Sequence, residues 1–320
     1  MSRAPALIIG SAGQDGRLLA EQLANRGRAL ITCGRECIQG AGLSFGQPHL
    51  NDPEWVIDLI AQNRPAEVYY LAALNYSSEE SAGNDRGLLA AMLAVNTQNL
   101  VNVLEAIRSH SPASRVFYAA SAHVFGKPDT SPQNEDTPIR PTAPYGISKA
   151  AGIFACRRYR EAHGVFASAG ILYNHESSLR PSQFLSAKIA RSVAEIRVGS
   201  RRELILGDLD AIADWGYAPD YTRAMQLIIG ASAPDDFVIA TGIPHTVREF
   251  AEVAFSAVGL NYNDYVSVDP TLLRRDNGAL VGDSTRLRRV TGWRPSITFE
   301  AMVRNLVEHQ LVTVSTANIK

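Results

Sequence analysis

A chain of 320 residues, 46% of them hydrophobic and 20% charged, is sized for one large domain or two interlocked ones. It excludes extended disorder and collagen-like or low-complexity structure. Lys and Arg number 31 against 32 Asp and Glu, a net charge of −1, so no overall field recruits nucleic acid or an anionic membrane. Cys33, Cys37 and Cys156 are too few for a disulfide framework, and the Cys33/Cys37 spacing lacks a second pair for zinc; no metal and a reducing, cytoplasmic setting are expected.

Met1 to Pro5 leads at once into a short apolar run and a glycine loop, without the pattern of a leader peptide. No stretch is expected to supply the ~20 apolar residues of a membrane helix. In chain order the patterns predict a strand over 6–9, a helix over 16–26, a strand over 29–32, a helix over 53–63 and a strand over 66–72. A long helix over 88–109, a strand over 116–120, a helix over 145–163 and a strand over 166–172 follow. The alternation implies parallel strands with right-handed crossovers, an α/β Rossmann-like doubly wound sheet whose ligand lies at the carboxyl ends of the strands. Beyond it the pattern is less regular: a helix within 180–202, a strand over 204–207, a strand over 237–240 that rejoins the first sheet, and helices over 247–258 and 299–312. Residues 1–174, with a returning strand near 237–242, are expected to form the dinucleotide-binding domain. Residues 175–320 are expected to form mainly a smaller, interleaved substrate domain.

Gly10-Ser-Ala-Gly13-Gln14-Asp15-Gly16 joins the first strand to the first helix. Glycines here permit a tight turn, close approach of a pyrophosphate and close helix–strand packing, and the helix N-terminus offers backbone N–H groups to the anion. After the second strand comes Arg35, suited to a 2′-phosphate, which favours NADP; Glu36 is the alternative, a ribose ligand that would suit NAD. Tyr145 and Lys149 stand one helical turn apart. An ammonium at that distance is expected to lower the tyrosine pKa so that it exchanges a proton with a substrate hydroxyl, and the lysine can also reach cofactor ribose. Ser121, in the loop after the fourth strand, offers a hydroxyl to the same oxygen.

Together Gly10 to Gly16, Ser121, Tyr145 and Lys149 resemble an extended short-chain dehydrogenase/reductase. Tyr173-Asn-His-Glu-Ser177, Lys188-Ile-Ala-Arg-Ser-Val-Ala194, Asp214-Trp-Gly-Tyr-Ala218, Phe237-Val-Ile-Ala-Thr-Gly242, His245-Thr-Val-Arg-Glu-Phe250 and Gly292-Trp-Arg-Pro295 extend the likeness over nearly the whole chain. They closely resemble GDP-mannose 4,6-dehydratases. The resemblance implies transient oxidation at sugar carbon 4 with NADP, loss of water across carbons 5 and 6, and return of the hydride to carbon 6. It implies Tyr145 as base, Lys149 as its tuner, Ser121 where the family has threonine, and Asn174 and Lys188 as nucleotide-sugar ligands.

The family's carbon-5 base is a glutamate two residues past that hydroxyl, and here the position is His123. A neutral imidazole is able to abstract protons; the open readings are a general base, a hydrogen-bond donor to the sugar, or a packed side chain. The alternative function is a 4-epimerase or a 4-keto reductase or oxidase on a related nucleotide sugar; a cofactor-binding protein without turnover is the third reading. Leu179, Ala187 and Ala213 stand where the family has arginines, while Arg180 and Arg202 lie nearby, and Arg275 (or Arg274) is the expected diphosphate contact. His175 and Glu176 are expected to fix their loop, and the remaining histidines to serve as surface or core residues. The stretch 35–53 is shorter than the family loop that helps build a tetramer, so a homodimer through helices 88–109 and 145–163 is expected instead.

Overall fold

The computed structural model describes residues 4–36, 42–46, 48–75, 85–272 and 278–317. Arg274, Arg275 and Cys37 lie outside them. The chain begins with β1 (Ala6–Ile9), buried at every position as a central parallel strand requires. It continues through α1 (Gln14–Ala24), β2 (Leu30–Gly34), β3 (Leu43–Gly46), α2 (Pro53–Asn63) and β4 (Glu67–Tyr70). Next come α3 (Asp85–Leu93), a π turn (Ala94–Gln98), α4 (Asn99–His110), β5 (Arg115–Ala119), a 3₁₀ turn (Ala122–Phe125), α5 (Pro144–His163) and β6 (Phe166–Leu172). β7 (Asn174–Glu176), α6 (Leu185–Arg197), β8 (Leu204–Leu206), β9 (Ile212–Tyr217), α7 (Ala218–Ile229) and β10 (Asp236–Ile239) follow. The chain then forms β11 (Pro244–Thr246), α8 (Val247–Ser256), β12 (Val266–Val268), α9 (Thr285–Thr291) and α10 (Phe299–Ala317).

Seven parallel strands form the main sheet in the order β10-β6-β5-β4-β1-β2-β3. The chain winds outward from β1 to β3, then returns to β4 on β1's other side. The order reverses between β1 and β4, and their carboxyl ends open the crevice where a doubly wound sheet binds its ligand. β10 pairs with β6, so the late apolar run does rejoin the sheet. α7 also returns: Tyr221, Ala224, Met225 and Ile228 pack with Ile8, Leu19 and Phe117 on one face of the sheet. α2, α4 and α5 cover the other face.

A second core lies between α6, α8 and α10, around Ile189, Phe250, Phe255, Met302 and Val303. A three-stranded sheet, β11-β9-β7, edges it, with β7 and β9 parallel and β11 antiparallel. Buried Asp214 on β9 accepts from the Thr241 N–H and hydroxyl at 3.0 and 2.6 Å and from the Gly242 N–H at 2.9 Å. The Asp-Trp-Gly run therefore ties this sheet to the end of β10.

One expectation needs correcting. The continuous helical stretch Arg86–His110 is long and apolar enough, by length and composition, to cross a membrane. Its α4 half lays Leu100, Val103, Leu104 and Ile107 into the core. The π turn sets Asn96, fully buried, against the loop after β4. Both mark a core helix of the sheet.

Candidate active site

Glycine is required where the loop after β1 turns. Gly10 has φ +93°, and a Cβ there would strike the backbone of Leu71 and Ala72 at the end of β4. A Cβ on Gly16 would strike Gly10 and Ser11, so α1 could not pack on the loop. Gly13 caps α1 without any side-chain hydrogen bond, leaving the first-turn N–H groups to an anion. Gly34 brings the end of β2 against Ser11 and Ala12, which sets Arg35 beside the loop. Arg35 is exposed, and Arg17 lies at the same edge, 3.7 Å from Glu36 and donating to the Ala12 carbonyl at 3.0 Å. Arg17 is a second cation at this edge that the sequence pattern did not single out.

The Gln14 and Asp15 side chains are engaged elsewhere than a cofactor reading suggests. Gln14 Nε2 donates to the His175 carbonyl at 3.0 Å, and its Oε1 accepts from the Ser177 hydroxyl at 2.9 Å. Asp15 Oδ2 lies 2.9 Å from His175 Nε2. These bonds fasten the first turn of α1 to β7.

The catalytic candidates converge at the ends of β5 and α5. Ser121 caps the 3₁₀ turn, accepting from the His123 N–H at 3.3 Å, and its hydroxyl acts on Tyr145 to favour the phenolate. The His123 and Tyr145 rings meet edge to face with centroids 5.9 Å apart. Gly146 makes this possible, because a Cβ there would collide with the His123 carbonyl oxygen. Lys149 is buried, its Nζ 2.7 Å from the Ala119 carbonyl oxygen and 5.7 Å from the Tyr145 ring centroid.

The electrostatics differ from the sequence expectation. Burial pushes the Tyr145 hydroxyl up to about 12, against the opposing Arg180 charge and the Ser121 bond. Burial pulls the Lys149 amine down to about 7. The lysine does not figure among the charges that lower the tyrosine: its Nζ is bonded to a backbone carbonyl and shares the tyrosine's low-dielectric setting. The fixed cation that favours the phenolate is Arg180, held by Glu176 at 3.2 Å and stacked on Phe184 at 3.9 Å.

Asn96 escaped the sequence reading. Its side chain accepts from the Leu74 N–H at 2.8 Å and donates to the Ser148 hydroxyl at 2.9 Å. The Tyr70 and Tyr118 hydroxyls donate to the Val95 and Asn96 carbonyls at 2.6 and 3.0 Å. A π turn thus joins the β4 loop to α5, and only the wide turn itself could have signalled it. Asn174 opens β7 opposite Trp215. Lys188 lies half-buried on α6.

A family model described as GDP-mannose 4,6 dehydratase matches residues 7–306. The chain belongs to the GDP-mannose 4,6-dehydratase family. GDP-mannose 4,6 dehydratase 2 of Arabidopsis thaliana is 37% identical, over 96% of this chain and 86% of that protein. The human GDP-mannose 4,6 dehydratase is 33% identical, over 97% and 92%. Among solved structures, RMD from Pseudomonas aeruginosa complexed with NADPH superposes with a TM-score of 0.81 at 22% identity, covering 97% of this chain and 99% of that one. A UDP-glucose 4-epimerase from Thermotoga maritima gives 0.84 at 20% identity with the same coverage. These two show the shared fold. An enzyme of this family needs a dinucleotide, and the glycine cradle with its uncapped helix end fits one.

Proposed function

We propose that this chain is a nucleotide-sugar 4,6-dehydratase acting on a GDP-hexose such as GDP-mannose, with NADP recycled. The observation that carries the reading is the His123 and Tyr145 rings meeting edge to face, with Ser121 acting on that tyrosine and Lys149 buried one helical turn on. Gly10, Gly13 and Gly16 would cradle the pyrophosphate, and Arg35 with Arg17 would take the 2′-phosphate that distinguishes NADP from NAD. Bound there, the nicotinamide supplies reversible hydride acceptance.

Tyr145 takes the proton of the sugar 4-hydroxyl while Ser121 holds that oxygen. The carbon-4 ketone acidifies the hydrogen on carbon 5. His123, as neutral imidazole, removes it and passes a proton to the departing 6-hydroxyl, which leaves as water. Delivery of the hydride to carbon 6 and of a proton to carbon 5 then gives a 4-keto-6-deoxy sugar. Asn174, Lys188 and Arg275 are assigned to the nucleotide sugar. Residues 1–174 with the returning strand serve the cofactor, and residues 175–320 mainly serve the sugar nucleotide.

The test is product mass after incubation with NADP and a panel of GDP-, UDP- and dTDP-hexoses. Loss of one water from a GDP-hexose without net cofactor reduction is expected. Unchanged mass with inverted stereochemistry, or stoichiometric cofactor turnover, would favour the 4-epimerase or 4-keto reductase reading. The imidazole in place of a carboxylate at position 123 is what keeps that alternative in play.

The same reading includes a homodimer in the cytoplasm. α3 and α5 pack side by side, and α5 leaves Ile147 and Phe154 exposed, the latter at 52%. Ala90, Ala91 and Ala94 are exposed on the neighbouring helix and π turn. A second copy of the chain covers this strip. Phe154→Asp should convert the dimer to monomer in light scattering; an unchanged mass would place the interface elsewhere.

A further inference from the structure

The His175 ring is hydrogen-bonded at both nitrogens to oxygen. Nδ1 lies 2.7 Å from the Tyr173 carbonyl oxygen, and Nε2 lies 2.9 Å from Asp15 Oδ2. A carbonyl only accepts, so Nδ1 carries a proton. Asp15 Oδ1 already accepts from Gln14 Nε2 at 3.2 Å, and an ionised carboxylate has nothing to donate, so Nε2 carries a proton as well. The ring is clamped from its face by Tyr221, stacked at 4.6 Å and 16°. We propose that His175 is held as an imidazolium and, through Asp15, positions the first turn of the glycine-loop helix against the sugar-binding half.

Each partner supports the charge of the other. Burial alone would pull the imidazole down, but the Asp15 charge and hydrogen bond outweigh it and raise the value above the ordinary 6.5. Burial alone would push the Asp15 carboxyl up, but the His175 charge and bond outweigh it and hold it below 3.8. Arg180, beyond β7, opposes the imidazolium and favours the carboxylate. Lys149 and Tyr145, on α5, feel the Asp15 charge. Tyr221, on α7, has Asp214, Glu176 and Asp220 around it.

The consequence is a charged clasp between two halves of the molecule, made by residues 160 apart in sequence. With the Gln14 bonds to His175 and Ser177, it fixes the helix turn whose N–H groups are left open. Loss of the His175 proton would break one of its two ring bonds and leave the Asp15 charge unbalanced beside Tyr145. The effect on the cofactor rests on the reading of the glycine loop given above; the protonation of the ring does not.

The experiment is histidine-selective 15N NMR on the full chain, with His175→Gln to assign the signal and Asp15→Asn as second variant. One imidazole with both nitrogens protonated is expected at pH 7, where ordinary histidines are mostly neutral, and absent from both variants. A neutral His175 at pH 7 would overturn the proposal. NADPH affinity is then titrated against pH. The wild type should weaken about tenfold as the imidazolium is lost, and His175→Gln should show no such dependence. The same pH dependence in both would overturn the positioning role. No NADPH binding at any pH, with the NMR signature intact, would support the imidazolium and overturn the cofactor reading joined to it.

Discussion

Lys149 Nζ donates to the Ala119 carbonyl oxygen across 2.7 Å, at the last residue of β5. The contact is buried, and burial draws the amine down to about 7. The unfolded value is 10.5, so between about 7 and 10.5 the unfolded chain binds more protons and stability rises with pH. Against Lys149→Met, the wild type should therefore gain stability from pH 7 to pH 10 in urea denaturation. The buried carbonyl left unpaired in the variant costs the same at every pH and drops out of the comparison. A difference that stays constant would show that the amine is solvated.

Tyr145 should ionise only with help. In the cofactor-free protein its value near 12 means that wild type and Tyr145→Phe have equal tyrosinate absorbance at pH 10. Turnover by Tyr145→Phe should fall about 10²- to 10⁴-fold, the usual worth of a positioned acid–base group, while NADPH still binds. Retained turnover would remove the tyrosine from its assigned role.

His123 separates the two chemistries. His123→Ala should abolish solvent deuterium uptake at carbon 5 and water loss, yet keep hydride exchange at carbon 4. His123→Glu, which restores a carboxylate, should recover dehydration. Mass spectrometry in heavy water reads both, and undiminished dehydration by the alanine variant would make the imidazole a structural group.

Gly146→Ala places a methyl against the His123 carbonyl oxygen. Backbone there cannot yield cheaply, so about 1–3 kcal/mol of stability should be lost. The Tyr145–His123 spacing should widen with it, and kcat should fall more than KM rises. Thermal unfolding with steady-state kinetics checks both, and wild-type values in each would show that α5 can shift freely.

Much of the architecture was legible because its signals are local. α2 runs from Pro53 to Asn63 as expected: Asp52 caps it by accepting from the Glu54 N–H at 3.1 Å, Pro53 starts it, and Val56, Leu59 and Ile60 face the core. β3 was not legible, since an edge strand with half-exposed positions has neither an apolar run nor alternation. The three-residue strands β7 and β11 are too short for any period. α7 opens directly from β9 at Ala218, with Pro219 in its first turn, and has no side-chain cap to mark its start. In the site, Ser121 with His123 and Tyr145 with Lys149 are two short-range pairs, each legible by spacing, and the structure sets the His123 and Tyr145 rings edge to face. The engagement of Asp15 by His175, the Asn96 bridge and the Arg180 charge depend on contacts between distant segments, which no spacing encodes.

The π turn at Ala94–Gln98 has a consequence for descent as well as for chemistry. A helix advances roughly 100° per residue, so the wide turn works as a phase shifter between α3 and α4. Removing one residue anywhere in 86–98 would rewind it and rotate α3 by that angle. Asn96 would swing away from Leu74, and the exposed alanines would turn off the surface they share with α5. Point changes along α3 are open to drift, whereas its length is frozen by two partners at once, the loop that flanks the cofactor crevice and the neighbouring helix.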